Sequence, residues 1–325
     1  MIRYIIRRIL FSIPVVFLAS VLVFAVVNAT TDPLAGAALN PRVTQADVAR
    51  LRHQLGLDKS PVEQYQTWLG NFVKGDWGTS LVSGLDVFQQ IRESLINTFI
   101  LGAVGVTISL IIGVSIGIYS ALRQYSWFDY TSTTVAFFGL SLPTFWFALM
   151  VQLVFGVYLT RWLGRSSPIF FTTGMSTPGT TGFQPFDLMR HMALPLLVLA
   201  VQIVAVYSRY TRASMLEVLQ SDYLRTARAK GVKESRVLTR HAMRNALIPL
   251  TTQVALDIGA IAGGLVITET IFAWPGMGRL FIDAFSVGDY LIVLPWVMIT
   301  VIFVILFNLV ADIMYAVLDA RIRYA

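Results

Sequence analysis

The sequence predicts an all-α integral membrane protein with six transmembrane helices, a folded external segment after the first helix, and a helical cytoplasmic loop between the fourth and the fifth. Three observations predict this class. The chain of 325 residues is 56% hydrophobic but only 13% charged, about half the charged fraction of an ordinary soluble domain. Six long stretches are almost free of charge, and the basic residues are concentrated on one side of them. Lipid is therefore the expected surrounding of most helices.

Six nearly uncharged stretches give the predicted spans, because a helix needs roughly 20 apolar residues to cross a bilayer. Four stretches lack charged residues entirely, the fifth contains Asp257, and the sixth contains Asp312. We expect Pro143 and Pro195 to produce ordinary kinks or breaks. The predicted spans are residues 9–31, 94–122, 130–160, 191–208, 245–268 and 290–318.

The distribution of Lys and Arg predicts the orientation of these spans. The N-terminus, the loop 123–129, the segment 209–244 and the C-terminal tail together hold 15 of the 25 basic residues, although the opposite side contains more residues. Basic loops stay in the cytoplasm, so both termini are predicted to be cytoplasmic. The first stretch follows three arginines but exceeds the core of a signal peptide, roughly 7–15 residues, so we expect a retained helix.

Residues 32–93 form a long external segment that the sequence predicts to be folded. Thr44 and Ser60 are predicted helix N-caps, and Gly75 is a predicted helix end. Two interpretations are open for this segment. It is either a scaffold that caps the outer ends of the helices or a docking surface for a soluble protein that carries the substrate.

Four polar residues within the predicted spans are candidates to line a polar pathway: Gln202, Gln253, Asp257 and Asn308. A carboxylate at bilayer depth costs about 2.5–3.5 kcal/mol on insertion scales, so Asp257 is expected to face the bundle interior or a wet cavity. The alternative is that these groups bridge helices by hydrogen bonds, and for Asp257 both interpretations stay open. Asp312 lies near the cytoplasmic end of its stretch, where we favour a structural role.

Signatures of bond chemistry are missing from the sequence. It has no cysteine, no G-x-x-x-x-G-K-[ST] nucleotide loop and no H-E-x-x-H metal motif. His53, His191 and His241 lie on separate segments, which does not indicate a metal site. We therefore expect this chain to catalyse no reaction and to bind no cofactor or metal. Its net charge of +7 is attributed to cytoplasmic loops rather than to nucleic-acid binding.

The most charged stretch of the chain is DYLRTARAKGVKESRVLTRHAMRNALIP, which begins at Asp222. It predicts two short helices, the first capped by Ser221 or Asp222 and ending near Lys230, joined at Gly231. Two short helices joined by a tight turn form a rigid protrusion, which can transmit displacement to the span that follows. The pattern therefore indicates a lever for a cytoplasmic partner. Alternatively, its basic residues only set the topology and attract anionic lipid.

This stretch resembles the cytoplasmic EAA loop of ABC-importer membrane subunits, whose pattern is Glu-Ala-Ala, three residues, Gly, and later Ile-x-Leu-Pro. Arg225, Thr226 and Ala227 occupy the first three positions of this pattern, and Gly231 occupies the position of its glycine. Arg225 and Thr226 differ from the Glu and Ala of the pattern, and Pro249 lies further along the chain than the proline of the pattern. Three further stretches agree with the resemblance: GLDKSPVEQYQTWLGNFVKGDWGTSL, ETIFAWPGMGRL and LDARIRYA. Over nearly its whole length the chain is similar to the B-type membrane subunit of bacterial oligopeptide/dipeptide ABC importers.

The resemblance implies that this chain works together with other subunits in the bacterial cytoplasmic (inner) membrane. The implied partners are a homologous second permease subunit, two ATP-binding subunits that hold ATP and Mg, an extracytoplasmic peptide-binding protein, and the lipid bilayer. The resemblance does not distinguish a peptide importer from related importers of nickel, glutathione or oligosaccharide. An ion-coupled secondary transporter or channel that works without an ATPase is the alternative, and an integral-membrane enzyme is disfavoured.

The resemblance also implies which residues the ATPase contacts, while the uncharged stretches themselves divide the chain. The implied coupling residues are Asp222, Tyr223, Arg225, Thr226, Ala227, Arg228, Ala229, Lys230, Gly231 and Arg236. The expected parts of the chain are the tail and first span at 1–31, the external segment at 32–93, and a five-helix core at 94–325 that includes the coupling loop 209–245.

Overall fold

A computed structural model describes residues 2–318 of the chain, except 31–33, 35–43, 55, 81 and 181. Within these residues the chain is helical, apart from connecting turns and one isolated β-bridge between Thr79 and Asp86. The all-α prediction is therefore confirmed. The last residue of the first predicted span and most of the C-terminal stretch LDARIRYA lie outside the described residues.

The described helices are numbered in chain order, and two of these described helices contain a π-helical segment, Gln152–Tyr158 in α6 and Val237–Ala242 in α9. They are α1 (Ile2–Thr30), α2 (Gln45–Gln54), α3 (Pro61–Lys74), α4 (Val87–Leu122), α5 (Trp127–Ser141), α6 (Thr144–Trp162), α7 (Pro185–Leu219), α8 (Asp222–Ala229), α9 (residues 234–246), α10 (Ile248–Ile261), α11 (Val266–Ile271), α12 (Met277–Ser286) and α13 (Tyr290–Leu318).

Five helices of the described chain are long and apolar enough to cross a membrane. The candidate spans are Ile5–Ala29, Val87–Leu122, Thr144–Trp162, Pro185–Leu219 and Tyr290–Met314. The fifth predicted stretch is not one long helix, because α10 has only 14 residues. At 1.5 Å per residue such a helix is about 21 Å long, which is shorter than the roughly 30 Å hydrocarbon core.

The third predicted stretch is also divided, into α5 and α6. Leu142 adopts an extended backbone with ψ of 126°, as a residue before proline prefers, and Pro143 then precedes the first residue of α6. The predicted break at Pro143 is therefore confirmed. Pro195, by contrast, lies inside α7 without ending that helix.

The helices pack closely where glycine removes a side chain. A Cβ atom on Gly113 would lie 2.8 Å from the Cβ of Tyr207, and one on Gly117 would lie 2.6 Å from the carbonyl oxygen of Ser208. These two glycines therefore allow α4 and α7 to approach each other along one face. Gly259 does the same for α10 and α13, because its Cβ would lie 2.8 Å from the Cβ of Phe307.

The external segment packs on the ends of α1 and α4. Ser60 and Glu63 form a capping box at the start of α3, and Gly75 ends the helix with φ of 80°, so these predicted helix ends are confirmed. The hydroxyl groups of Ser20 on α1 and Tyr65 on α3 lie 2.7 Å apart. A chain of neighbouring aromatic rings joins α1 through α3 to α4: Phe24, Tyr65, Trp68, Phe72, Trp77 and Phe88. This packing is what the scaffold interpretation expects.

Candidate coupling surface and embedded polar residues

The basic segment folds into two helices joined at a glycine, as predicted. Ser221 is the N-cap of α8 with an extended backbone, and its hydroxyl donates to the carbonyl of Val218 at 2.5 Å. Lys230 ends the helix, and Gly231 has φ of +76° in the turn that leads to α9. A residue with a Cβ atom disfavours this left-handed conformation, so the turn requires glycine.

The inner face of α8 and α9 is apolar and rests on the ends of α4 and α7. Leu224 of α8, Val237 of α9 and Met215 of α7 are fully buried, and Ala121 of α4 is buried in the same cluster. We call this set the junction cluster, whose buried members are Ala121, Met215, Leu224, Val237, Ala242 and Ala246. Because the cluster draws on four helices, α8 and α9 form a seated element rather than a loose loop.

The outer face of this element carries the residues that the resemblance implies for ATPase contact. Nine of those ten residues are exposed, and the exception, Ala227, packs against the junction cluster. Arg228 forms an ion pair with Glu234 across the Gly231 turn, with Nη2 and Oε1 2.9 Å apart. This contact lowers the pKa of Glu234 and so favours its ionised form at neutral pH.

Two further contacts lie on the outer face. The side chain of Asn245 on α9 donates to the Tyr223 hydroxyl oxygen at 2.9 Å, and Arg225 lies 3.4 Å from Asp222 within α8. The contact from Asn245 joins the two helices at their exposed side. The polar groups of α8 and α9 are therefore positioned by the buried cluster on one side and by the Asn245–Tyr223 hydrogen bond on the other.

The four candidate pathway residues do not converge on one site. Asp257 of α10 accepts hydrogen bonds from the Tyr207 hydroxyl on α7 and from Nε2 of Gln253, each at 2.8 Å. Gln202 of α7 instead donates to the Thr144 hydroxyl on α6 at 2.7 Å. The structure thus joins Gln253 and Asp257 by a hydrogen bond, whereas the hydrogen bond of Gln202 goes to a different helix.

The hydrogen bonds favour a bridging role for Asp257, which joins α7 to α10. Asn308 differs from the other candidates, because its side chain is exposed on α13. Asp312 pairs with Arg8 of α1 at 3.0 Å, which agrees with the structural role favoured for it. Polar groups in a bundle often bridge helices in this way.

A buried carboxylate at Glu269 was missed by the sequence reasoning, which used the surrounding stretch ETIFAWPGMGRL only as a sign of resemblance. Glu269 is fully buried and accepts hydrogen bonds from Thr98 Oγ1 at 2.7 Å, Gly278 N at 2.6 Å, and the amides of Leu265 and Arg279 at 3.2 Å each. Gly276 has no room for a side chain, because its Cβ would lie 2.5 Å from this carboxylate.

Glu269 therefore ties α4 to the start of α12. The amides of Gly278 and Arg279 belong to the first turn of that helix, where an anion is favoured. The indole of Trp274 adds a bond to the carbonyl of Asn97 on α4 at 3.0 Å. A glutamate followed closely by a Pro-Gly-x-Gly turn was the available signal, but only the fold shows its partners.

An ion pair between Asp129 and Arg212 was also missed. Nε and Nη2 of Arg212 donate to the two carboxylate oxygens of Asp129 at 2.6 and 2.8 Å. The Ser120 hydroxyl and the Tyr125 amide donate to the same carboxylate. The Arg212 guanidinium, with these two donors, holds the pKa of Asp129 well below its usual range. The charges stand in different segments of the sequence, so spacing gave no signal for the pair.

Within the described chain, no group of three or more His, Asp or Glu side chains is arranged to hold a metal ion. The observations define a class: a multi-pass, all-helical membrane protein with a seated helical element where α4 and α7 end.

Comparison with known proteins then identifies the family. Residues 113–324 match the family described as binding-protein-dependent transport system inner membrane component, and residues 1–102 match the N-terminal part of such membrane components. The chain belongs to this family, and the resemblance stated from its motifs is confirmed.

Curated relatives match the chain from end to end. It is 42% identical to the oligopeptide transport system permease protein AppB of Bacillus subtilis over 325 residues, covering 100% of both chains. It is 37% identical to the dipeptide transport system permease protein DppB of Alkalihalophilus pseudofirmus over 334 residues, again covering 100% of both. The glutathione transport system permease protein GsiC of Escherichia coli K12 is 36% identical over 324 residues, with the same coverage.

Proposed function

We propose that this chain is the membrane-spanning permease subunit of an ATP-driven peptide importer. It forms half of a translocation pathway and couples closure of partner ATPases to alternating access of that pathway. The observation that carries the proposal is the exposed α8–Gly231–α9 element, seated on a buried cluster that includes residues of α4 and α7. Such an element can receive force on its outer face and pass it to two long helices, because packed interfaces transmit strain.

Peptides are the proposed class of substrate. These relatives are permeases for oligopeptides, dipeptides and glutathione, and all of these substrates are amino acids joined by amide bonds. The proposal leaves peptide length open. It also leaves most of the selection to an extracytoplasmic binding protein that delivers the peptide to the permease.

The proposed assembly contains this chain, a homologous second permease subunit, two ATP-binding subunits and the binding protein. ATP and Mg bind on the ATP-binding subunits. Ten exposed or partly buried residues of α8, its turn and the start of α9, between Asp222 and Arg236, contact those subunits. In the proposed assembly the external segment at 32–93 caps the outer ends of α1 and α4, as its packing indicates, and its outer side is also the docking face for the binding protein.

The proposed topology has six crossings in the bacterial cytoplasmic membrane, with both termini in the cytoplasm. The fifth crossing is made by α10 together with its flanking residues, within 245–268. The charge bias supports this arrangement, because α8 and α9 then lie on the same side as the basic N-terminus. In this topology the residues 1–31, 32–93 and 94–325 are the tail with its first span, the external segment and the permease core.

Reconstitution tests the proposal directly. The chain is purified with its partner permease, ATP-binding subunits and binding protein, placed in vesicles, and supplied with labelled di- to pentapeptides. We expect peptide uptake that requires both ATP hydrolysis and the binding protein. Uptake by the permease chains alone, driven by an ion gradient, would instead establish a secondary transporter and refute the proposal.

A further inference from the structure

The contact between Asp129 and Arg212 is a node that joins three separate parts of the chain. Asp129 stands in the first turn of α5, Arg212 in the last two turns of α7, and Ser120 near the end of α4. The Asp129 side chain is only 3% exposed, whereas that of Arg212 is 28% exposed. All the groups that contact the carboxylate are donors, so the buried charge is fully paired.

This node continues the close packing of α4 against α7. Gly113 meets Tyr207, and one turn later Gly117 meets Ser208 and Thr211. Ser120 and Arg212 then meet at the Asp129 carboxylate. The contact between α4 and α7 continues into the junction cluster, where Ala121 and Met215 pack with Leu224 of α8.

The node therefore lies directly beside the junction cluster. Only Gln220 and Ser221 separate the end of α7 from the start of α8, so a displacement of α8 acts at once on the last turns of α7. An apolar contact can slide, but a guanidinium that donates two parallel hydrogen bonds to one carboxylate fixes both distance and angle. Arg209 adds a second contact between α7 and α5, with its guanidinium 4.4 Å from the Phe137 ring centre.

We propose that Asp129 and Arg212 are positioning residues of the coupling machinery, which lock the end of α7 to α4 and α5 so that a displacement of α8 moves the three helices as one unit. This inference rests on the proposed function. Without the lock, the last turns of α7 bend under load, and movement of α8 is absorbed before it reaches the pathway. ATP would then be hydrolysed with little transport.

The test compares peptide transported per ATP hydrolysed in vesicles that contain the complete importer. The main variant is Asp129→Asn, which keeps the side-chain size and removes the charge. The matched control is Asp312→Asn, which removes a partly exposed ion pair with Arg8 that joins α1 to α13 and involves neither α7 nor α8. We expect Asp129→Asn to lower the transport-to-hydrolysis ratio about fivefold or more, since coupling between sites typically corresponds to a factor of about 5–150. The control should retain the wild-type ratio.

A conservative variant guards against a folding defect. Arg212→Lys keeps the positive charge but cannot donate in parallel to both oxygens, so it should give an intermediate ratio. If Asp129→Asn fails to assemble, this intermediate ratio supports the proposal and a wild-type ratio overturns it. A wild-type ratio in assembled Asp129→Asn overturns it as well. If the wild type itself transports without ATP, the proposed function has failed, and the inference that depends on it fails for that separate reason.

Distances between spin labels test the lock independently of turnover. The sequence has no cysteine, so pairs can be introduced at Trp127 on α5 and Lys233 before α9, both exposed. With cysteine-free partner chains, we expect this distance to stay constant between the nucleotide-free and ATP-bound complexes of the wild type and to change on ATP binding in Asp129→Asn. A constant distance in both proteins, or a change of equal size in both, contradicts the proposal.

Discussion

Replacing Glu269 by glutamine is expected to destabilise the fold around α12 strongly. Oε1 of this buried carboxylate accepts from Thr98 Oγ1 and Leu265 N, and Oε2 accepts from Gly278 N and Arg279 N. Burial raises the pKa of Glu269, and its four hydrogen-bond donors oppose that shift. Because each oxygen faces only donors, we expect the carboxylate to be ionised at neutral pH. An amide retains one accepting oxygen, and its NH₂ group must oppose two of the four donors.

The expected magnitude follows from the two lost bonds. Hydrogen bonds to a charged group contribute about 1.5–3 kcal/mol each, so two correspond to about 3–6 kcal/mol. Two of the four donors lie at 3.2 Å, where a hydrogen bond is weaker, and the variant no longer has to bury a charge. The lower end of this energy range therefore applies. We therefore expect the free energy of unfolding to fall by about 3 kcal/mol.

Tryptophan fluorescence during denaturant or detergent titration is a suitable assay. Trp274 bonds to Asn97, and Trp296 of α13 donates to the Met277 carbonyl at 2.8 Å, so both indoles report on this region. Glu93→Gln is the matched control, because Glu93 is exposed on the same helix as Thr98 and should change stability by less than about 0.5 kcal/mol. An equally small change for Glu269→Gln would show that the carboxyl is protonated, and would refute the reasoning.

Three further predictions concern coupling, the pathway and pH. Gly231→Pro should insert and assemble normally but abolish ATP-coupled uptake, because proline fixes φ near −65° where the turn has +76°; wild-type uptake at normal expression would contradict the lever assignment. Asp257→Leu should reduce uptake more than Asp312→Leu, and equal or reversed effects would favour a purely structural role for Asp257. Because Arg212 depresses the pKa of Asp129, the stabilisation from their ion pair is complete above the unfolded pKa of about 4 and is lost progressively as the pH falls from there through the lower folded pKa. The thermal midpoint should therefore drop more steeply below about pH 4 in the wild type than in Asp129→Asn, which a pH series of melting curves would detect.

Composition predicted the all-helical architecture of the described chain, because the length of an uncharged stretch is a local property of the sequence. Uncharged length located the long helices, and the pre-proline restriction at Leu142 located the break before α6. Helix caps at Ser60 and Gly75 were predictable for the same reason, since each depends on residues within one turn. The turn at Gly231 belongs to this group as well.

The interruption after α10 depended instead on contacts from elsewhere in the chain. Hydropathy continues to residue 268, but the helix ends at Ile261. Gly264 then adopts φ of +86° and lies against the backbone of Gly278, a position that a side chain would obstruct. No pattern in the sequence near Gly264 predicts that this turn packs against Gly278, which lies 14 positions later. The partners of Glu269 and Asp129 were hidden for the same reason.

The position of α8 in the fold changes which helices are expected to move when a partner displaces α8. The order of the sequence suggested that the basic segment would act on the span that follows it, which is α10. In the fold, the fully buried Leu224 packs against Met215 of α7 and Ala121 of α4, both of which precede it in the chain. A load on α8 therefore reaches the α4–α7 pair through side-chain packing and reaches α10 through α9. Substitutions that loosen the first route, such as Leu224→Ala, should impair coupling even when α9 and α10 remain intact.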